Sequence, residues 1–131
     1  MNQANNANGD IYMLQLRTET FASDVRSFIG KLPYSRITAN DCDQLIRSSG
    51  SVGANYIEAR EAFSKNDFLY RIRICRKEAK ESAYWLVLLE KNIPLANQIE
   101  HKRLVKECDE LVRIFTAIAK TTQSRYAGKK S

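Results

Sequence analysis

Four long segments of this chain carry apolar or small residues at alternating spacings of four and three. In the third segment these residues are Phe68, Ile72, Cys75, Ala79, Ser82, Leu86 and Leu89. The second series consists of Leu45, Ser49, Val52, Tyr56, Ala59 and Phe63, and similar series run through residues 21–32 and 104–118. Because side chains three and four positions apart share one helix face, each series predicts a helix with an apolar seam. Four such helices with short connections predict an all-α, antiparallel up-down four-helix bundle.

Turn and capping residues mark the ends of the predicted helices. Pro33 disfavours helical geometry in the residue before it and therefore ends the first helix. Thr38 or Asn40 is the predicted N-cap of the second helix, and Ser64 resembles the first residue of a capping box at the start of the third. Pro94 separates the third helix from the fourth.

At 131 residues, the chain is predicted to form one domain. The polar, Asn-rich segment 1–10 is predicted to be a disordered tail, residues 11–123 the bundle, and residues 124–131 a short basic tail. The sequence shows neither an apolar leader nor an apolar run of about 18 residues. We therefore expect a cytoplasmic protein with no membrane partner.

Two glycines, Gly50 and Gly53, lie in the middle of the second predicted helix. Each costs about 1 kcal/mol relative to alanine in a helix interior. One interpretation is a G-x-x-G clamp for nucleic acid, but that fold requires strands, and no segment here has a strand-like alternation. Close approach of another helix is the favoured interpretation.

Polar residues lie beside the seams of the second and third helices. Glu78 and Glu81 fall between apolar positions, on a face that we expect to be partly buried. Because a buried carboxylate is costly without a partner, such groups are normally paired. We predict a structural polar network, within or between subunits, that comprises Arg47, Asn55, Glu58, Glu78 and Glu81.

No residue pattern in the sequence specifies a reaction. One alternative is a metal-dependent or hydrolytic enzyme that uses Glu58, Glu78 and Glu81, but the single His101 lies outside any Glu-x-x-His motif. No histidine stands near a candidate nucleophile, and the three cysteines lack the spacing of zinc ligands. We predict a non-enzymatic protein without catalytic residues, metal or cofactor.

Positive charge is concentrated in the second half of the chain. Residues 64–131 hold 15 Lys and Arg against 8 Asp and Glu, whereas residues 1–63 hold 6 against 7. This asymmetry favours a polyanionic or acidic partner, although solvated helix faces can also be basic. Tyr70 and Tyr84 are candidates for base stacking, but such tyrosines more often pack against neighbours. If the basic stripes of the third and fourth helices converge, they form a nucleic-acid-binding patch of Arg73, Arg76, Lys77, Lys80, Lys102, Arg103, Lys106, Arg113 and Lys120.

Three stretches of the chain resemble a known bacterial family. Residues 44–59, QLIRSSGSVGANYIEA, are similar to the helix-two signature of the four-helix-bundle proteins encoded in intervening sequences of large-subunit ribosomal RNA genes. Residues 65–74 resemble the family's second motif at the start of helix three, and residues 78–86 resemble a variant of the segment that follows it. Ile74-Cys75-Arg76 departs from the Ala-rich step that is usual there.

The resemblance implies an up-down bundle that assembles as a ring-like homopentamer. A relative of the family is the accessory protein of diversity-generating retroelements, which binds nucleic acid and a reverse transcriptase through a basic surface. These implications, together with the charge asymmetry, favour an oligomeric accessory protein that binds RNA or DNA, with a reverse transcriptase or another protein as a further partner. The alternative is an interaction scaffold for an acidic protein, and salt-dependent binding to nucleic acid would distinguish the two.

Overall fold

The computed structural model describes the backbone of residues 3–130 and the side chains of residues 9–125. Four helices account for most of this part of the chain: α1 (Gln3–Gly30), α2 (Arg36–Arg60), α3 (Lys65–Leu89) and α4 (Gln98–Lys130). Two single turns of 3₁₀ helix, Glu90–Asn92 and Leu95–Asn97, connect α3 to α4. Residues 3–130 contain no β-strand.

Successive helices pack against each other in an up-down arrangement. The most extensive contacts join α2 to α3 and α3 to α4, whereas α1 packs mainly on α2 and more lightly on α4. Since the connections are short, neighbouring helices run antiparallel. The predicted all-α four-helix bundle is therefore confirmed.

Serine side chains cap two of the helices. The Ser64 hydroxyl accepts a hydrogen bond from the Asp67 amide at 3.1 Å, as the sequence predicts. The N-cap of α2 is Ser35, whose hydroxyl accepts from the Ile37 amide at 3.2 Å. The prediction of Thr38 or Asn40 as N-cap is therefore wrong, because both residues lie inside the helix that begins at Arg36.

The outer ends of α1 and α4 run through the segments predicted to be tails. Helical backbone covers residues 3–10 and 124–130, and no proline interrupts either stretch. Residues 1, 2 and 131 lie outside the described residues. The division into an N-terminal tail, a bundle and a basic C-terminal tail stays a prediction.

The four apolar seams meet in one continuous core. Among its fully buried side chains are Phe21 and Phe28 from α1, Ile72 from α3, and Leu111 and Phe115 from α4. The predicted seam of each helix lies in the core, with the exception of one predicted seam residue. Phe63 is fully exposed, because α2 ends at Arg60 and the remaining residues form the turn to α3.

Gly53 allows α1 and α2 to approach closely, and the packing interpretation of this glycine is confirmed. A Cβ atom at Gly53 would lie 3.0 Å from the hydroxyl oxygen of Thr18, which is itself buried. A Cβ atom at Gly50 would approach only the end of the Arg26 side chain, at 3.3 Å from its Nη2 atom. The two glycines of the predicted pair therefore have different surroundings.

Candidate nucleic-acid interface

Eight cationic side chains form an exposed surface on α3 and α4, which we call the basic surface. In the part of the chain whose side chains are described, none of them makes an ion pair or a side-chain hydrogen bond. Its members are Arg73, Arg76, Lys77, Lys80, Lys102, Lys106, Arg113 and Lys120.

The ion pairs of the acidic residues locate the acidic side of α3 and of α4, and the cations lie mainly on the other exposed side of each helix. On α3, Glu78 and Glu81 face α2, because both pair with Arg47. On α4, Glu107 and Glu110 face α1, because both pair with Arg17. At about 100° per residue, most of the basic positions fall away from these acidic sides, toward the outer face that α3 and α4 share. Lys77 is the exception, because it lies one turn before Glu81 and its charge attracts that carboxylate.

One contact sets the alignment of the two basic stripes along the bundle. The buried His101 ring at the start of α4 is hydrogen-bonded to the carbonyl oxygen of Leu86 near the end of α3, with an Nε2···O distance of 2.7 Å. Because α3 and α4 run antiparallel, residues that lie equally far before Leu86 on α3 and after His101 on α4 stand side by side. Lys80, six positions before Leu86, is therefore about level with Lys106. The same count brings Arg113 level with the stretch between Arg73 and Arg76, so the two stripes converge.

The basic surface contains little negative charge of its own. Asp109 is the acidic residue that lies on the same side of α4, between Lys106 and Arg113 in the sequence. It makes no ion pair with any residue whose side chain is described. The positive field of eight cations is therefore only partly offset.

The structure separates Arg103 from the basic stripe to which the sequence assigned it. Its guanidinium donates hydrogen bonds to Glu100 and to Asp24 of α1, the latter at 2.9 Å. These carboxylates raise the pKa of Arg103, and the bond from Arg103 lowers the pKa of Glu100. Arg103 therefore joins α4 to α1, and its charge is already neutralised.

The predicted polar network is divided into two clusters. Arg47 bonds to the buried Glu78, with an N–O distance of 3.3 Å, and also to Glu81. Trp85 donates its indole N–H to Glu81 at 3.4 Å. Burial alone would raise the pKa of Glu81, but hydrogen bonds from Arg47 and Trp85 lower it overall.

The second cluster contains Asn55. Its amide oxygen accepts a hydrogen bond from Arg71 at 3.0 Å, and its amide nitrogen donates to the Ser51 carbonyl at 2.8 Å. Glu58 belongs to neither cluster: it is exposed and makes no side-chain bond to a described residue. A link that the sequence analysis did not anticipate joins the buried hydroxyls of Ser48 and Ser82 at 2.8 Å.

Two tyrosines on α3 are largely exposed, whereas the sequence favoured packing of both against neighbouring residues. Tyr70 is 60% exposed and Tyr84 is 56% exposed. They lie at the two ends of the basic stripe of α3, on the same side of the helix as Lys77. The spacing of 70, 73, 77, 80 and 84 alternates between three and four, a second periodicity that could have revealed this outward face.

A large cleft opens between α1 and α4 at the end of the bundle where α2 turns into α3. Its volume is about 1450 Å³. Met13 and Leu16 of α1 and Ile114 and Ile118 of α4 form its walls, and Phe63 lies at its edge. Apolar side chains supply most of its exposed lining. Of the cations that also line it, Arg17 and Arg103 are paired with carboxylates and Arg60 is bonded to Gln15.

Within the part of the chain that the structure describes, no group of three or more His, Cys, Asp or Glu side chains is placed to hold a metal ion. None of the helices over residues 3–130 combines the length and hydropathy that a membrane span requires. The absence of an enzymatic activity stays a prediction.

These features define the class of protein: a small antiparallel four-helix bundle with a basic outer face and an apolar cleft. The chain belongs to the 23S rRNA-intervening sequence protein family, whose sequence model matches residues 15–117. A crystal structure from Bacteroides thetaiotaomicron, described as a protein with unknown function from the S23 ribosomal protein family, is similar at 27% identity with a TM-score of 0.69. The match covers 81% of this chain and 97% of that one. The comparison with curated proteins found no match.

Proposed function

We propose that this protein is a non-enzymatic, oligomeric accessory protein that binds the phosphate backbone of RNA or DNA through its basic surface. The observation that supports this proposal is the set of eight exposed cations on two adjacent helices, none of which forms an ion pair with a residue whose side chain is described. Contacts of this kind neutralise phosphates and carry little sequence information. We therefore expect binding that is sequence-tolerant and sensitive to salt.

The arrangement of the cations favours a ligand over a merely solvated face. Arg17, Arg47 and Arg103 pair with carboxylates on other sides of the bundle. On the basic surface, by contrast, like charges lie three or four positions apart, as in Arg73 and Lys77. Each such pair destabilises a helix by about 0.2–0.5 kcal/mol. Since this arrangement does not help the fold, an external polyanion is a better explanation for it.

The test reverses charge at the centre of the basic surface. Replacing Lys106→Glu and Arg113→Glu together should weaken binding of fluorescein-labelled RNA at least tenfold at low salt, measured by fluorescence anisotropy. The matched control is Arg26→Glu with Arg36→Glu, which changes the net charge equally at exposed positions on α1 and α2. Circular dichroism should show the same helix content in all three proteins.

Two outcomes would contradict this proposal. The first is no binding of wild-type protein to RNA or DNA at low salt. The second is an equal loss of affinity in the Lys106 and Arg113 variant and in its control, which would mean that net charge and not this surface determines binding. Either result would favour the alternative of a scaffold whose basic face contacts an acidic protein.

We further propose that the protein self-associates through the apolar cleft between α1 and α4. The cleft presents apolar side chains to a second copy, and the pairing of Arg17 and Arg103 with carboxylates in its lining reduces the repulsion between two copies of net charge +6. Leu16 is 44% exposed and Met13 is 61% exposed, and both residues line this cleft. The family resemblance implies five copies.

Sedimentation equilibrium at micromolar concentration tests this assembly. The wild-type protein should sediment as an oligomer, and replacing Met13→Glu and Leu16→Glu together should lower the mass to that of a monomer. Tyr34→Glu, at an exposed site in the α1–α2 connection, should leave the mass unchanged. A wild-type monomer would refute self-association, and a dimer or tetramer would correct the number of copies.

A further inference from the structure

We propose that the basic surface takes single-stranded RNA or DNA in preference to duplex, and that Tyr84 and Tyr70 stack on its unpaired bases. This inference rests on the proposed function and adds the form of nucleic acid and the residues that distinguish it. Both rings stand on the outer side of α3, at the two ends of its stripe of cations. Aromatic rings that alternate with cations are typical of surfaces that bind single strands.

The Tyr84 ring is supported from the protein side. It contacts the Trp85 ring edge to face, with the ring centroids 5.1 Å apart and an interplanar angle of 71°. Trp85 is in turn held by its hydrogen bond to Glu81, which is anchored by Arg47. A ring that is held by a neighbouring ring and remains more than half exposed loses little conformational freedom when a base stacks on it.

The Tyr70 ring is arranged in a comparable way. The guanidinium carbon of Arg71 lies 5.8 Å from its centroid, a distance at which cation and ring attract each other. The Arg71 guanidinium is positioned by its hydrogen bond to Asn55. Neither Tyr70 nor Tyr84 uses its hydroxyl in a hydrogen bond to a described residue. Stacking of a base on either ring therefore breaks no hydrogen bond of the fold.

The distance between the two rings suits a short single strand. Tyr84 lies fourteen positions after Tyr70, which corresponds to about 21 Å along a helix. Arg73, Lys77 and Lys80 lie between them and can contact the phosphates that link the stacked bases. A single-strand-binding domain occupies roughly 4–16 nucleotides, and this span is of that order. The bases of a duplex are already stacked on each other, so only the cations can contact it.

The first experiment compares tyrosine variants on two probes by fluorescence anisotropy: a labelled single-stranded oligothymidylate of 20 nucleotides and a labelled duplex of 20 base pairs. Tyr84→Leu should weaken single-strand binding by about fivefold to 100-fold, the loss expected for one base–aromatic stack. Duplex binding should change less than twofold. Tyr84→Phe should retain wild-type affinity, because it keeps the ring. Tyr34→Leu, at an exposed tyrosine at the end of the bundle, is the matched control and should change neither affinity.

The second experiment uses the single tryptophan of the chain as a reporter. Because Trp85 contacts Tyr84 directly, a base stacked on Tyr84 should change the environment of the indole and therefore its fluorescence. Titration with the single strand should change the emission, and titration with the duplex to equal saturation should not. The Tyr84→Leu variant should lose most of this change even at concentrations of single strand that saturate it.

The outcomes separate this inference from the proposed function. Equal affinity for both probes, with no effect of Tyr84→Leu or Tyr70→Leu, would overturn the stacking inference. If the charge reversal at Lys106 and Arg113 still weakened binding at least tenfold in that case, the proposed function would stand. Failure of the wild-type protein to bind either probe at low salt would overturn both.

Discussion

At the residue scale, the two cysteines in the helix seams behave as small apolar residues. Burial raises the pKa of Cys75 and of Cys108 to about 12. Both are free thiols in the core, as is Cys42 at a partly buried position on α2. Their ordinary pKa is about 8.5, so the folded chain keeps Cys75 and Cys108 protonated well beyond the pH at which an unfolded chain loses these protons.

This difference predicts that stability falls at alkaline pH. The stabilisation by the two thiols is fully present below about pH 8.5 and is lost as the pH rises toward 12, because only the unfolded chain then gains by releasing protons. Chemical unfolding between pH 8 and 11 should show a steeper decline for wild type than for a variant with Cys75→Ala and Cys108→Ala. Cys42→Ala is the control and should retain most of the wild-type slope. Parallel curves for wild type and the double variant would contradict the prediction.

At the element scale, the two glycines of α2 differ in what they contact, although they are only three positions apart in the sequence. Gly53 lies against Thr18 of α1, whereas Gly50 lies against a flexible arginine side chain. Thr18 cannot easily move, since it is buried and its hydroxyl donates to the Gln15 carbonyl at 2.8 Å. The same helix therefore has one glycine that the packing requires and one that it does not.

Alanine substitution should distinguish the two positions. Gly50→Ala should stabilise the protein by up to about 1 kcal/mol, the gain in helix propensity, because the end of Arg26 can move aside. Gly53→Ala should destabilise it by about 1–3 kcal/mol, the usual range for overpacking. Urea unfolding measures both. Thr18→Ala should restore part of the stability in the Gly53→Ala background, and a stabilising Gly53→Ala would refute the packing role.

Much of this architecture could be predicted from spacing alone, because a helix period fixes which residues share a face. The seams are of this kind. The Ser64 cap and the close approach at Gly53 were predictable from residue type, a capping serine before a helix and a glycine inside one. The fate of Arg103 could not be predicted. The sequence of one helix predicts which of its residues share a face. The pairing of Arg103 with Asp24 depends in addition on the distance between α1 and α4, which that sequence does not contain. Phe63 was misplaced for a related reason, since the point at which α2 ends determines whether its side chain reaches the core.

At the scale of the whole molecule, the charges are sorted by face. Carboxylates neutralise the guanidinium groups along the contacts of α1 with α4 and of α2 with α3. The outer face of α3 and α4 holds cations without such partners, within a chain of net charge +6. This distribution produces a positive potential on one side of the bundle, which favours approach of a polyanion in one orientation.

The salt dependence of binding should report the number of cations that contact phosphate. For single strands, the slope of log Kobs against log salt is about −0.7 for each phosphate neutralised. Neutralising Lys106→Gln and Arg113→Gln together should make the slope of each binding site shallower by about 1.4, because two contacts are removed. The control, Arg26→Gln with Arg36→Gln, removes the same net charge from α1 and α2 and should keep the wild-type slope. Anisotropy titrations with the 20-nucleotide single strand from 50 to 200 mM salt measure it. Equal slopes for the two variants would mean that the ligand responds to the total charge of the protein and not to the basic surface of α3 and α4.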